Sequence, residues 1–321
     1  MTAKEPSLNV FKGRVRLQAE GHIYFVDGRS DLGHVSVSGL LHDFFAEFEG
    51  PAMARTLTQC AGWEKSIYRP RAESRALAKL PGRPAFVDQR LTRGFCTLDM
   101  LDGAVTMDEI RDDVVSDVVQ QWNEARDAGT LMHAELEDFY GRRTCRMYVE
   151  RVLCDNYEAL GGCVYAQFLR FHDEVVVKQG WRIFAIESRL VDDPTRICGS
   201  IDALFYNPAE PTGWVHLCDW KRSRKLRYSA FTRRGETPKH GKAPFEKLQD
   251  CNAMHYAVQQ NTYRALIERN TALLVKSMHL VVLHPEHDDY QYDAVQDLQS
   301  EVNTMLAARE KYVIEKLPVV Q

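Results

Sequence analysis

The segment from Glu187 to Lys221 constrains the fold of this chain more than any other stretch. Its first apolar run ends near Tyr206, its second begins at Trp214, and residues 207–213 between them read Asn-Pro-Ala-Glu-Pro-Thr-Gly. Apolar runs of strand length on either side of proline, glycine and asparagine are typical of a β-hairpin. The segment therefore predicts two neighbouring strands of one sheet.

Acidic side chains occupy unusual positions in this hairpin. If the turn is centred between Glu210 and Pro211, Asp202 lies opposite Asp219. Because side chains alternate along a strand, Lys221 then shares a face with Asp219, beside Asp202. Two like charges that face each other destabilise a sheet by about 0.2–1 kcal/mol. A bound cation would reverse that penalty.

The two aspartates are therefore the leading candidates for a metal site. A hard cation held by carboxylates neutralises phosphate charge and generates hydroxide from water, as phosphodiester hydrolysis requires. Lys221 would hold or activate the water and stabilise the charged transition state. Glu187 joins the group if its face matches that of Asp202. The alternatives are strand-end acids paired with neighbouring Arg and Lys, a solvated lysine and a surface glutamate.

Two helical patterns supply further candidates. The first begins at Met107 and later places His133 beside an apolar stripe. A neutral imidazole there would complete the shell of Mg²⁺ or Mn²⁺; otherwise His133 packs at the edge of the stripe. On a second predicted helix, residues 245–268, Gln259 and Tyr263 are four apart and share a face. They would bind a substrate phosphate or support the site, or else form part of a polar helix face.

A basic segment begins directly after Lys221. Residues 222–249 contain nine Lys or Arg and two Glu, although the chain as a whole has a net charge of −4. Any nucleic-acid contact must then come from a local patch, and this segment is the candidate. The residues predicted here to bind substrate are Arg222, Arg224, Lys225, Arg233 and Arg234. Residues 235–242 lack the glycine spacing and the Ser or Thr of a phosphate-binding loop, so no nucleotide cofactor is predicted.

Composition sets the broad class. With 321 residues and 45% apolar content, the chain has enough material for a substantial core. No apolar segment reaches the length of a signal peptide or a membrane helix, which predicts a soluble intracellular protein of the cytoplasm or nucleus with no membrane partner. Basic residues near the N-terminus leave a mitochondrial location open. Eight cysteines without a CxxC pair indicate reduced thiols.

The order of predicted elements indicates the fold class. A helix, three strands, a helix and a strand predict an α/β fold with a mixed central sheet flanked by helices. Residues 1–110 are predicted to form an N-terminal accessory region of short strands and helices, packed on a core of residues 111–321. Within it, residues 22–45 predict a short strand pair that leads into a helix.

Five motifs stand in a fixed order along the chain. They are Gly129-Thr-Leu-Met-His133, Glu187, Gly199-Ser-Ile-Asp202, Asp219-Trp-Lys221 and Gln259-Gln-Asn-Thr-Tyr263. This arrangement resembles the PD-(D/E)XK nuclease superfamily of the RecB type. Within that superfamily it is most similar to the family of mitochondrial genome maintenance exonucleases and their relatives in large DNA viruses and protists.

The resemblance implies a restriction-endonuclease-like core and a DNA exonuclease that works with one or two Mg²⁺ or Mn²⁺ ions, favouring single-stranded DNA or free ends. It implies that Lys221 is the catalytic lysine. The implied metal ligands are His133, Asp202, Asp219 and the backbone carbonyl of Trp220. The residues implied to line the site are Glu187, Gln259 and Tyr263, with Glu187 part of the catalytic set. The basic segment would then follow the strand phosphates.

Two departures from relatives of this type limit the expectation. Several relatives hold an iron–sulfur cluster with flanking cysteines, whereas no cysteine follows Cys251 here, so no cluster is predicted. No helicase motif is present, so unwinding would come from a partner in trans, such as a helicase, polymerase or single-strand-binding protein. A structure-specific or sequence-specific endonuclease, a catalytically silent nucleic-acid-binding module, and RNA as the substrate stay open.

Overall fold

The structure, a computed structural model, describes residues 7–18, 23–46, 48–80, 91, 95–101, 103–141, 164–230, 232 and 237–317. The sequence also predicts a helix over roughly residues 147–178. Its first part, together with Arg233 and Arg234, lies outside the described residues. The chain divides into two compact units. The sheet unit comprises Met1–Ala46 and Met132–Gln321, and the helical unit comprises Glu47–Leu131.

The described strands and helices follow one another in groups along the chain. The strands are β1 (Val15–Gln18), β2 (Ile23–Val26), β3 (Val35–Ser36), β4 (Arg182–Asp192), β5 (Ile197–Tyr206), β6 (Trp214–Lys221), β7 (Leu274–Val282) and β8 (Gln291–Ala294). The α-helices are α1 (Val37–Leu41), α2 (Gly50–Gln59), α3 (Arg69–Lys79), α4 (Met107–Gly141), α5 (Val164–Phe171), α6 (Asn252–Asn270) and α7 (Gln299–Lys316). The predicted order of a helix, three strands, a helix and a strand is confirmed.

The central sheet is mixed. Its strand order is β3-β5-β6-β7-β8, with β4 also paired to β5. The pairs β4–β5, β5–β6 and β7–β8 are antiparallel, whereas β3–β5 and β6–β7 are parallel. Almost every residue of β5 and β6 is buried, as expected for strands covered on both faces. The predicted α/β class with a mixed sheet is confirmed.

The register of the β5–β6 hairpin follows from its turn. The paired residues are Ala203 with Cys218, Leu204 with Leu217, and Phe205 with His216. This is the register predicted from a turn centred between Glu210 and Pro211. The ladder stops one residue short of Asp202 and Asp219, so the two aspartates stand where the strands begin to separate.

One edge of β5 is shared by two strands. At its start β5 pairs with β3 through Ile197 and Cys198, and at its end it pairs with β6. Strand β4 occupies the opposite edge along nearly the whole length of β5. Among the described residues, the stretch from Gly199 to Asp202 therefore has strand partners on the β4 side only. This fork in the sheet leaves room for side chains around Asp202.

Two apolar clusters cover the sheet. One contains Leu204 and Leu217 together with residues of α6 and α7. The other contains Phe205 and Trp220 together with residues of α4 and α5. Trp220 is fully buried, so its side chain belongs to the core, on the face of β6 opposite to Asp219.

Two sequence predictions about local structure are wrong. The helix expected from Phe245 begins at Asn252. Phe245 is fully buried, and the backbone around it is bonded across a loop, from Gly241 N–H to the Leu248 carbonyl (3.0 Å), so those groups are not available to a helix. The strand pair expected within residues 22–45 does not form either, because β2 pairs with β1 and β3 pairs with β5.

The helical unit has its own core. Helices α2 and α3 and the first part of α4 contribute apolar residues such as Ala54, Leu77 and Val114. Glu73 is fully buried there and accepts hydrogen bonds of 2.8 Å from Trp63 Nε1, Arg69 Nε and the Leu98 N–H. The accessory role proposed for residues 1–110 stays a prediction. Among the described helices, none combines the length and hydrophobicity that crossing a bilayer requires.

Candidate active site

Three potential ligands meet near the fork in the sheet. His133 comes from α4, Glu187 from β4 and Asp202 from β5. His133 Nδ1 lies 3.5 Å from Glu187 Oε1 and 3.6 Å from Asp202 Oδ2. One ligand atom from each residue lies within 4.8 Å of the other two. The structure thus brings together three of the predicted site residues in a group that could hold a metal ion.

Strand register explains why Glu187 reaches this group. The pairs that flank it, Ile186 with Ala203 and Ser188 with Ile201, place Glu187 across from Asp202. Its backbone φ is 43°, in the left-handed region, which costs a residue other than glycine about 1–3 kcal/mol. The neighbouring ladder pairs hold this conformation. Strain of this kind clusters at functional sites.

Asp219 and Lys221 form a pair at the end of β6. Lys221 Nζ lies 2.6 Å from Asp219 Oδ2, and both side chains are largely buried. Asp202 Oδ2 accepts a hydrogen bond of 2.8 Å from the Trp220 N–H. Asp202 thus accepts a hydrogen bond from the backbone at the point where the β5–β6 ladder ends. Asp219 and Lys221 lie on one face beside Asp202, as the alternation predicted.

Side chains of helix α6 contact the ammonium group of Lys221. Gln259 Oε1 accepts a hydrogen bond of 3.4 Å from Lys221 Nζ, and Gln259 Nε2 donates one of 3.4 Å to the Tyr263 hydroxyl. Lys221 Nζ also lies 4.6 Å from the centroid of the Tyr256 ring. Tyr256 was not among the predicted site residues. The available signal was its position three residues before Gln259, on the same helix face.

Tyr263 needs a glycine opposite it. Its side chain is buried and packs against Gly199 of β5. A Cβ added to Gly199 would lie 2.7 Å from Tyr263 Cε1 and 3.2 Å from its hydroxyl. Gly199 therefore leaves room for the Tyr263 ring and allows α6 to approach β5 closely.

Burial and neighbouring charges shift the acid–base properties of the group. Burial raises the pKa of Asp202, and it raises the pKa of Asp219 to about 6 against the opposing effect of Lys221. Burial alone would lower the pKa of His133, but Asp202 and Glu187 outweigh it and raise that pKa to about 9. Burial opposes the charged form of Lys221, yet Asp219 and Asp202 raise its pKa. A cation entering the group would displace protons.

The residues fit a hard cation. Glu187 Oε1 and Asp219 Oδ2 are buried oxygens without a hydrogen-bond partner in the described part of the chain. Asp219 Oδ2 is close to Lys221 Nζ, but the geometry is not that of a hydrogen bond. Asp219 Oδ2 has the Lys221 ammonium at 2.6 Å as its positive partner, whereas Glu187 Oε1 lies 3.5 Å from His133 Nδ1. Buried oxygens are normally satisfied, so Glu187 Oε1 is the oxygen that points to a further cation. Carboxylate oxygens with one imidazole suit Mg²⁺ or Mn²⁺.

The basic segment continues from the end of β6. Arg224 Nε lies 2.6 Å from Glu286 Oε2, so its charge is paired. Lys225 is exposed, and its carbonyl accepts a hydrogen bond of 3.0 Å from Asn252 Nδ2. Arg222 is partly exposed, and burial lowers the pKa of its guanidinium. Arg222, Arg224 and Lys225 thus follow the site directly in the chain.

Sequence comparisons find no match for this chain, whereas comparison of structures finds distant similarities. No protein-family model matches the sequence, and no curated protein matches it. Among solved structures, the chain is similar to a "Putative exonuclease" from Eubacterium rectale, with 13% identity and a TM-score of 0.32 over 58% of this chain and 66% of that one. It is also similar to SSO0001, with 13% identity and a TM-score of 0.23 over 57% of this chain and 69% of that one. The chain thus spans just under two thirds of the length of the first.

Proposed function

We propose that this chain is a metal-dependent nuclease that hydrolyses the phosphodiester bonds of DNA. The observation that carries the proposal is the partly buried group of His133, Glu187 and Asp202 beside the Asp219–Lys221 pair. Among the described residues, Glu187 Oε1 has no hydrogen-bond partner. Carboxylates concentrated in this way are unfavourable without a cation. A lysine next to them suits a reaction in which negative charge develops.

His133, Glu187 and Asp202 would hold Mg²⁺ or Mn²⁺, with Asp219 and the Trp220 carbonyl as further ligands. When bound, such an ion supplies a Lewis acid for phosphate oxygens and lowers the pKa of water. The chain's own residues determine the charge of the metal site and the orientation of its ligands. Glu187 and Asp202 keep the site anionic, and the backbone N–H of Trp220 fixes the orientation of the Asp202 carboxylate.

Lys221 would stabilise the charge that develops on the phosphate. Its ammonium is held by Asp219 and Gln259 and lies against the ring of Tyr256. A charge held in place in a buried site needs no reorganisation during the reaction, which makes it effective there. Tyr263 positions Gln259, and through Gln259 it helps to hold Lys221.

The basic segment would bind the substrate strand. Lys225 and Arg227 are exposed a few residues beyond Lys221, where they would contact phosphates. Exonuclease action on single strands or free ends is the part of the proposal that the resemblance to the exonuclease family implies. A helicase, polymerase or single-strand-binding protein would supply such strands.

One assay tests this function. Purified protein is incubated with end-labelled single-stranded, duplex and closed circular DNA and with RNA, in Mg²⁺, Mn²⁺ or EDTA. We expect linear single-stranded DNA to be shortened from an end only when a cation is present. Cleavage of closed circles would identify an endonuclease instead. Equal activity in EDTA would refute the metal mechanism, and binding without cleavage would identify a silent binding module.

A further inference from the structure

Tyr228 is an exposed aromatic residue that the proposed chemistry does not use. It follows Lys221 by seven positions, in the basic segment, and retains 58% of its accessible surface. Its hydroxyl donates a hydrogen bond of 2.8 Å to Asp293 Oδ2 on β8. An exposed tyrosine on a loop would ordinarily sample several rotamers, whereas this bond restrains the ring.

The backbone before Tyr228 is fixed as well. The Arg227 N–H donates to Asn252 Oδ1 (2.8 Å), and the Arg227 carbonyl accepts from the Ala253 N–H (3.3 Å) at the start of α6. Leu226 is 7% exposed and belongs to a small apolar cluster that also packs against Tyr256. The backbone beside Tyr228 and the hydroxyl at the tip of its side chain are therefore both hydrogen-bonded to the sheet unit.

This anchoring also links Tyr228 to the candidate active site. Tyr256, which packs against the cluster that holds Leu226, contacts Lys221 through its ring. The apolar cluster that contains Leu226 is therefore packed against the same ring that contacts the ammonium group. In the part of the chain that the structure describes, no other ring and no cation lies over a face of Tyr228. The side chains of Arg224, Lys225 and Arg227 are exposed in the same segment.

We propose that Tyr228 is a stacking platform for one base of a single-stranded nucleic acid whose phosphates bind Lys225 and Arg227. The inference rests on the proposed nuclease function and deepens it by giving a physical source of preference for single strands. Exposed aromatic rings within basic grooves bind bases of any sequence by stacking. Bases within a duplex are already stacked on their neighbours, so a side platform gains little from them.

Binding measurements in EDTA test the proposal without cleavage. The titrant is a short fluorescent thymidine oligonucleotide, compared with an abasic oligonucleotide of the same length and charge. We expect Tyr228→Ala to weaken binding of the thymidine oligonucleotide about tenfold, since one stacked base is worth about 1–3 kcal/mol. Binding of the abasic strand should change less than about twofold. Tyr228→Phe and Tyr228→Trp should bind more tightly than Tyr228→Ala, because the ring remains although its hydrogen bond to Asp293 is lost.

Salt dependence and a matched control separate stacking from other effects. The slope of log Kd against log salt should be unchanged in Tyr228→Ala, because no charge is removed. Tyr312, which is also exposed (47%) but lies on α7, serves as the control, and Tyr312→Ala should bind like the wild type. Equal weakening for both oligonucleotides, or none for either, would overturn the stacking role. Failure of the wild type to bind any strand in EDTA would also overturn the stacking role, whereas the nuclease proposal is refuted by the absence of cleavage when a cation is present.

Discussion

At the scale of single residues, the central feature is the confinement of Lys221. Asp219, Gln259 and the ring of Tyr256 contact its ammonium group. A cation over an aromatic face gains about 0.5–2 kcal/mol, more when it is desolvated. We therefore infer that the ring of Tyr256 keeps the ammonium in place for the reaction.

This predicts the behaviour of two substitutions at Tyr256. Tyr256→Leu should lower kcat about tenfold with little change in KM, because the leucine fills space but offers no aromatic face. Tyr256→Phe keeps the face and should retain most of kcat. Steady-state kinetics on linear single-stranded DNA measure both variants, with thermal unfolding as a check on folding. A phenylalanine variant as slow as the leucine variant would assign the effect to the hydroxyl instead.

Much of the site was predictable from individual residues. Two acids and a lysine at fixed positions around a turn predicted that Asp202, Asp219 and Lys221 lie together. The left-handed backbone at Glu187 and the contact of Tyr256 with Lys221 were not predictable. The first depends on how two strands pair around one residue, and the second depends on the exact rotation of α6 over the sheet, which no local pattern fixes.

At the scale of elements, the close approach of α6 to β5 depends on Gly199. Its missing side chain makes room for Tyr263, and a methyl group there would lie 3.3 Å from Val37 Cγ2 as well. Because Val37 and Tyr263 are both buried, neither side chain moves freely. The contact therefore ties α1, β5 and α6 together behind the site.

Gly199→Ala should consequently lower the free energy of unfolding by about 1–3 kcal/mol, as overpacking does, and reduce cleavage by displacing Tyr263. Urea unfolding and the nuclease assay measure the two effects. Gly141→Ala is the matched control, since a Cβ at Gly141, at the end of α4, meets nothing within 4 Å. If both alanine variants unfolded at the same urea concentration, the close contact at Gly199 would be unimportant.

Element boundaries show what the sequence alone can predict. The β5–β6 register was predictable because turn chemistry and alternation agree. The start of α6 was not, because buried Phe245 and bonds across the loop use the backbone that local propensity would assign to the helix. Strand β3 ends at Ser36, whose hydroxyl accepts a hydrogen bond from the Gly39 N–H at the start of α1.

At the scale of the whole molecule, partly buried histidines make stability depend on pH. His279 stacks on Tyr292 at 4.5 Å, and burial, together with the nearby His216, lowers its pKa from 6.5 to about 4. Burial also lowers the pKa of His284 to about 4. Below pH 6.5 the unfolded chain binds protons that the folded chain does not. The contribution of these two histidines to the free energy of unfolding is therefore fully present above that pH and is lost as the pH falls toward 4.

The measurement is the free energy of unfolding in urea at about pH 7 and about pH 5, in the absence of divalent cations. We expect the wild type to lose stability between these values and His279→Phe to lose less, because phenylalanine can stack on Tyr292 and takes up no proton. Identical losses in the two proteins would show that His279 does not contribute to the pH dependence.

The most direct test of the central claim compares the dependence on cation with the loss of one carboxylate. Release of nucleotides from linear single-stranded DNA is measured with Mn²⁺ or EDTA for the wild type, Asp202→Asn and the control Asp31→Asn, whose side chain is exposed and bonded to Arg29. We predict activity in Mn²⁺ for the wild type and the control, none in EDTA, and a loss of at least about 100-fold in Asp202→Asn, since even residues that only support metal ligands cost 10–100-fold. Full activity of Asp202→Asn would contradict the assignment of this site.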